Sequence, residues 1–470
     1  MTQKNETKTL LISLLITAGI VSGGVWWLNK QLNLGISLPT TIGQSPLNPD
    51  KQLSSGEFSS GEKLLIPTAG TQAKQTGIQA FASGDYATAI AQLTASLRDQ
   101  KNDPESLIYL NNARIANNKA YHLAVVVPLS NNLDGTQEIL RGVAQAQNQL
   151  AQSGGIQGTP LRILIMNDGN DPKVAQGVAK TLAAKPEILG VVGHWSSEVS
   201  LAAGGVYNAE KLVAISPIST SVELSGFSPY IFRTVPSDRF AGSALSRHLV
   251  SQLNRKKAAV FFNSKSNYSQ SLKNEFTTTL FGDGGAVVAE FDLTAGNFKA
   301  DNSLNQAISQ GAEVLMLAVN SATLDQGLQV IQMNQGRLPM LAGDGAYAPK
   351  ILQIGKENAV GLIVATPWHL LAHPQTAFVK TANTLWGGDI NWRTAMAYDA
   401  TQALISAIGD QPSPTRESIQ QSLTNSNFAA NGATGKVRFL LSGDRNQAVQ
   451  LVKVEPGSRS GFGFDFVPIP

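Results

Sequence analysis

Two hydroxyl-rich turns are the places where this chain could hold a small anion. The first follows the apolar run ILGVVG at 188–193 and reads His194-Trp195-Ser196-Ser197 before a helical pattern. The second follows LVAIS at 212–216 and reads Pro217-Ile218-Ser219-Thr220-Ser221. Hydroxyls beside the free N–H groups of a helix start can bind negative charge, although a single serine there more often serves as a cap. Two such turns on successive strands would open side by side onto one crevice. Other chemistry is thinner. His369 and His373 are four apart and could share a helix face as metal ligands do, but no third ligand lies nearby and Pro367 and Pro374 flank them. GATGKV at 432–437 lacks the full phosphate-loop spacing and has Val437 where a hydroxyl is required. There is no GxSxG elbow and no GxGxxG opening after a strand, so catalysis has no sequence support.

The elements that must position these turns are written in alternation. From Tyr121 onward, short apolar runs recur: LAVVV at 123–127, LRILIM at 161–166, ILGVVG, LVAIS, AAVFF at 258–262, AVVAEF at 286–291, EVLMLAV at 313–319, PMLAG at 339–343 and GLIVAT at 361–366. Between most of them lie amphipathic stretches such as Asp134–Gln152, Pro172–Ala184 and Ser197–Ala209. Continuous apolar strands separated by helices imply parallel sheets buried on both faces. Nine such runs are too many for one open sheet of this kind. Two α/β lobes with a ligand cleft near the strand C-termini are the economical arrangement.

Composition narrows the function classes. The chain has 470 residues, 42% of them hydrophobic and 15% charged, which suits globular cores and argues against wholesale disorder. A net charge of +3 gives little field for a polyanion, so nucleic acid is not expected as a partner. The absence of cysteine removes disulfides, thiolate nucleophiles and cysteine metal sites. Ahead of the alternating region, the run Thr9–Leu28 carries no charge, and Lys4 and Lys8 precede it. At about 1.5 Å per helical residue it can cross a bilayer with the N-terminus cytoplasmic. Residues 1–30 therefore read as an N-terminal transmembrane anchor, with a cleaved signal peptide as the alternative. Residues 31–70, with Pro39, Pro46, Pro49 and Pro67, read as a flexible linker. Residues 71–117 place Gly77, Phe81, Gly84, Tyr86, Ala89, Leu93 and Pro104 where a helical hairpin needs small and large residues, in a tetratricopeptide-like spacing. That hairpin serves either as a spacer or as a partner-binding surface.

The ordered set GHWSS, ISPIST, YIFRTVPSDRFAG at 230–242 and AYDA at 397–400 resembles the leucine/isoleucine/valine-binding protein family of type I periplasmic binding proteins. The resemblance covers about residues 121–455. It implies two Rossmann-like lobes within 121–470, joined by three crossovers and closing over a small ligand, commonly an amino acid, urea or a short amide, for an ABC transporter. It also implies residue roles. Ser197 matches the serine that binds the ligand carboxylate, and Ser219 and Thr220 match the second turn, which contacts carboxylate and ammonium. Tyr268 matches the tyrosine from the second lobe, and Asp344 matches the acid that pairs with the ammonium. Taken alone, Asp344 before Gly345 is a common turn pair and Tyr268 a packing residue. The roles make physical sense together, because a zwitterion stripped of water needs donors at one end and a carboxylate at the other.

Departures from the family leave the side-chain pocket open. Gly135 lies near the place where relatives often carry a bulky residue, Asn320-Ser321-Ala322 replaces a Gly-Tyr pair, and Ser269 replaces a glycine after Tyr268. The expectation is a membrane-tethered, extracytoplasmic solute-binding protein, not an enzyme, with no cofactor. It would serve an ABC permease; the competing readings are an anchored ligand sensor and, behind it, a small-amide hydrolase.

Overall fold

The computed structural model describes residues 56–67 and 70–469. The expected anchor at 1–30 and most of the expected linker lie outside the described residues, among which no helix is long and apolar enough to cross a membrane. Two sheets organise the chain. The first contains β1 (Phe58–Ser59), β2 (Tyr121–Val127), β3 (Leu161–Asn167), β4 (Ile188–Val192), β5 (Ala214–Ser216) and β6 (Ile231–Arg233), in the order β1-β3-β2-β4-β5-β6. The second contains β7 (Lys257–Phe262), β8 (Ala286–Asp292), β9 (Val314–Ala318), β10 (Met340–Ala342) and β11 (Ile363–Thr366). After the short hairpin β12 (Ala430–Gly432) and β13 (Gly435–Val437), β14 (Gln450–Pro456) and β15 (Phe464–Pro468) complete the second sheet in the order β15-β14-β11-β10-β9-β7-β8.

All nine expected runs are strands, and the reason is visible in how they bury. Along β2, Leu123, Val125 and Val127 face one core while Ala124 and Val126 face another. Along β7 and β9, Ala259, Phe261, Leu315 and Leu317 divide in the same way from Ala258, Val260, Val314 and Met316. A strand buried on both faces has no polar face to show, which is why its sequence is apolar without alternation. Helices Leu133–Gln152, Pro172–Ala183 and Ser197–Ala209 cover the first sheet, close to their expected bounds.

The chain crosses between lobes three times. It leaves the first lobe after β6, returns after β11 to build helices Ala377–Trp386, Trp392–Gly409 and Arg416–Thr424 on the first lobe, and leaves again before β14. In each lobe the second strand lies outside the first and the third on its other side, so the switch in strand order falls beside β2 and β7. Crevices open at such points.

The segment ahead of the lobes departs from the expected linker. Residues 56–66 are docked: Phe58 and Ser59 pair antiparallel with Met166 and Ile165, and Leu65 and Ile66 are buried. The physical reason is that β3 is an edge strand with unpaired backbone groups. Beyond β1, Asn112 takes over, accepting from the Ile163 N–H (3.1 Å) and donating to the carbonyls of Ile163 (2.8 Å) and Ser60 (2.7 Å). Residues 71–117 form three helices, Gln72–Ala82, Tyr86–Asp99 and Pro104–Ile115, capped by Thr71, Asp85 and Asp103. Gly77 permits the first pair to approach, since a Cβ there would lie 2.8 Å from Leu93. Leu107, Ile108, Tyr109 and Leu110 of the third helix join the first lobe's core, so this helix continues the lobe rather than standing apart.

A buried ionic cluster fastens this addition. The Lys74 ammonium pairs with Asp103 and Glu105 at 2.8 Å each, and Glu105 also accepts from the N–H groups of Leu65 (2.7 Å) and Ile66 (3.3 Å). Burial alone would lower the Lys74 pKa, but the two carboxylates outweigh it and raise the value. Removing one partner of a buried pair strands the other, at about 3 kcal/mol. Glu105→Ala is therefore expected to cost about 3 kcal/mol in urea unfolding and to free residues 56–66, read as faster amide exchange at Gly56 and Asn167. Loss of less than about 1 kcal/mol with unchanged exchange would show that the cluster does not hold the segment.

Candidate functional site

The two hydroxyl turns meet at the C-terminal ends of β4 and β5, as their spacing predicts. Behind them, His194 Nδ1 bonds Asp168 at 2.6 Å and its Nε2 bonds the Tyr207 hydroxyl at 2.9 Å, all three side chains being buried. The Ser216 hydroxyl donates to the His194 carbonyl (3.0 Å) and accepts from the Ser219 N–H (3.0 Å), tying one turn to the other. The Ser200 and Ser219 hydroxyls bond at 2.7 Å, and Ser197 Oγ accepts from the Ser221 N–H at 3.2 Å. Ser197 is the first residue of its helix, so its neighbouring N–H groups carry the positive end of the helix dipole. Thr220 Oγ1 and Ser196 Oγ are buried and have no hydrogen-bond partner among the described residues.

Arg233 supports the second turn from below. Its guanidinium pairs with Asp444 at 2.6 Å and donates to the Ser221 carbonyl and Ser225 hydroxyl at 2.7 Å each. Sequence reasoning quoted this arginine only as part of YIFRTVPSD. It likewise quoted AYDA without a role for Asp399, which is buried against Arg445 at 2.6 Å and accepts from the Ala433 N–H. That pair anchors the chain just before its third crossing.

From the second lobe, Tyr268 and Asp344 come to the same place. The Tyr268 hydroxyl accepts from the Gly345 N–H at 3.1 Å. Glycine is needed beside Asp344 for space: a Cβ at 343 would lie 2.5 Å from the Tyr268 hydroxyl, and one at 345 would lie 2.0 Å from the Val319 carbonyl. Ser269, in place of the familiar glycine, is buried and bridges two strand ends, accepting from the Asn263 N–H (2.7 Å) and donating to the Ala318 carbonyl (2.5 Å). Asp344 is half-buried by exposed area because one side borders the cleft, yet it sits deep between the lobes. Burial pushes its carboxyl up to about 6, against the pull of the Tyr268 hydroxyl and Arg393. Asp238, fully buried next to this space, is pushed by burial to about 7. Burial also raises Glu198.

Ser197, Ser219, Thr220, Tyr268 and Asp344 all line one cavity of about 290 Å³ between the lobes. Trp195, Trp392 and Arg393 line it too, and sequence reasoning assigned none of them a role. Trp195 explains Gly135: a Cβ there would meet the Trp195 ring at 2.3 Å, so glycine at this place leaves room for the indole. Arg393 lies over the Trp392 ring at 4.3 Å and the Trp195 ring at 5.5 Å. It reaches across the cleft to donate to the carbonyls of Tyr347 (3.1 Å) and Asp344 (3.4 Å). His369 and His373 lie elsewhere, each against a separate aromatic ring, Tyr347 and Trp368. Among the described residues no group of three metal-ligating side chains occurs.

The arrangement therefore offers hydroxyls and a helix N-terminus on one wall, a carboxyl on the other, and an arginine between two indoles at the side. Comparison with known proteins agrees with this architecture. An amino acid binding protein of Pseudomonas aeruginosa is 30% identical over 181 residues, 38% of this chain and 48% of that protein. The chain thus spans about half the length of that relative. The leucine-, isoleucine-, valine-, threonine- and alanine-binding protein of the same organism is 26% identical over 64% of this chain and 81% of its own. The Leu/Ile/Val-binding protein of Escherichia coli is 25% identical over 59% and 76%. Among solved structures, a leucine binding protein of Thermotoga maritima superposes with a TM-score of 0.64 at 23% identity, covering 74% of this chain and 97% of that one. The periplasmic binding protein model matches residues 121–459, well over half the chain, and the chain belongs to the periplasmic binding protein family.

Proposed function

We propose that this chain captures a free α-amino acid between its lobes and delivers it to an ABC-type permease. The family is one of solute-binding proteins and implies an extracytoplasmic location. The observation that carries the reading is convergence: five residues from four strand ends and both lobes border a single small cavity. In the proposed complex, Ser197, Ser219 and Thr220 with the helix N-terminus at 197 take the carboxylate. Asp344 takes the ammonium, and the Tyr268 hydroxyl orients the loop that carries Asp344. No nucleophile with a poised base completes a hydrolytic set in this reading, so the ligand is released intact. An N-terminal anchor in residues 1–30 would keep the binding module beside the permease. Recovery of permease subunits on purification of the tethered protein from membranes would support transport, and recovery of a kinase in their place would support sensing.

The direct test is Asp344→Ala. Loss of a charge-assisted pair costs roughly 2–3 kcal/mol, so calorimetry with the bound amino acid is expected to show affinity about 30–150-fold weaker. Unchanged affinity would remove Asp344 from the role of ammonium partner.

The raised carboxyl of Asp344 also fixes the sign of a pH effect. An ammonium pairs with the ionised acid, so affinity is expected to fall as pH drops through about 6 and the carboxyl takes up a proton. The limiting slope is about tenfold per pH unit. The empty protein should behave oppositely. Asp238 and Asp344 hold protons more tightly folded than unfolded, so their contribution is fully present below the unfolded carboxylate pKa and is lost as pH rises through about 6 and about 7. Thermal melts between pH 4 and 7 should therefore show stability falling with pH without ligand, and a widening ligand-induced gain. Parallel curves with and without ligand would contradict the pairing.

A further inference from the structure

We infer that Arg393 selects the ligand's side chain, and that the amino acid bound here ends in a carboxylate or carboxamide oxygen rather than a branched aliphatic group. This inference rests on the amino-acid reading above and names the ligand class. Three observations carry it. First, Arg393 borders the cavity and its side chain is only 9% exposed, yet it forms no ion pair among the described residues and its Nε has no hydrogen-bond partner. A buried guanidinium whose direct bonds go only to two backbone carbonyls is under-satisfied, and a planar fork of N–H donors suits an oxygen-ended group. Second, the rings of Trp195 and Trp392 flank it, which holds the cation in place while its Nε–H stays without a partner. Third, the cavity's apolar wall is aromatic, from Trp195, Trp392 and Tyr268, with Ile218 and Ala322 the aliphatic lining among the described residues, while Asn170, Asn263, Asn320 and Ser321 bring amides and a hydroxyl to it beside Glu198 and Lys265. A leucine side chain offers the Arg393 Nε–H no acceptor, whereas a side-chain oxygen would.

Thr220, Tyr268 and Asp344 share a small adjoining space with Asp238, while Arg393 holds the Asp344 carbonyl from the side lined by Trp195 and Trp392.

The test is calorimetry of the full-length protein, freed of retained ligand by unfolding and refolding, with L-glutamate, L-glutamine and L-leucine. Glutamate or glutamine is expected to bind at least tenfold tighter than leucine, and the order of the two distinguishes carboxylate from carboxamide. Arg393→Gln should bring the ratio to leucine within about threefold of one, while Arg393→Lys should retain a preference for glutamate. Leucine binding as tightly as both would overturn the inference, and so would an equal loss for all three ligands in Arg393→Gln, which would make Arg393 a clamp between lobes and nothing more. If Arg393→Gln does not fold, the ranking on the unsubstituted protein decides alone. Tight leucine binding that Asp344→Ala abolishes would leave the amino-acid reading standing while this inference falls. Failure of every free α-amino acid to bind would defeat both.

Discussion

Charge removed from water is the constraint around which this molecule is arranged. The cleft holds Asp344, Asp238 and Glu198, and burial raises all three acids, with Arg393 pulling against it at Asp344 and Arg233 at Asp238. Without a ligand the acids have too few partners, and protonation is their remaining relief. In the proposed complex a cationic ligand group would change that balance at Asp344, between lobes that are joined by direct bonds. Arg393 reaches the Tyr347 carbonyl, the Val222 N–H donates to Ser271 at 3.0 Å, and Arg459 holds Asp389 in a forked pair.

A site of this kind needs rigid walls, and the buried polar groups behind the turns supply them. His194, Asp168 and Tyr207 form a chain in which each ring nitrogen has a partner, and Ser216 joins that chain to the second turn. Arg233 with Asp444 and Asp399 with Arg445 do the same below the turns and beside the third crossing. Fully partnered networks in a low-dielectric interior fix geometry more strongly than their separate bonds suggest. The hydroxyls left without partners, Thr220 and Ser196, stand on the cleft side of this framework.

What could be read in the sequence follows the range of the interactions involved. Strands buried on both faces write themselves as apolar runs, and the helices between them keep a clear period, so two α/β lobes were legible residue by residue. The hydroxyl turns were legible because they sit directly beyond those runs. Arg393 was not, because it enters the cleft from a helix some two hundred residues after the Trp195 it touches, and nothing local marks a Trp-Arg pair as part of a site. The fit of Gly135 to Trp195 is not legible locally, because the indole comes from a different strand end. Strands of two or three residues, such as β1 and β6, are too short to carry any period. Residues 56–66 were read as linker because their composition is that of a loop, whereas their structure is set by an unpaired edge elsewhere.

That edge bears on how the lobes move. β3 lies at the opposite end of the first sheet's core strands from β5 and β6, which lead toward the second lobe. The segment 56–66 and the three helices that follow it settle on β3 and on helix Leu133–Gln152, away from the turns at 194–197 and 217–221. The second lobe's outer strand β8 is left half-exposed and is guarded by charge instead, with Glu290 paired to Lys273 at 2.8 Å. Any restraint applied through the N-terminal segment is therefore received by the first lobe, the one carrying the hydroxyl turns, while the lobe carrying Tyr268 and Asp344 is joined to it by the three crossings and the cleft.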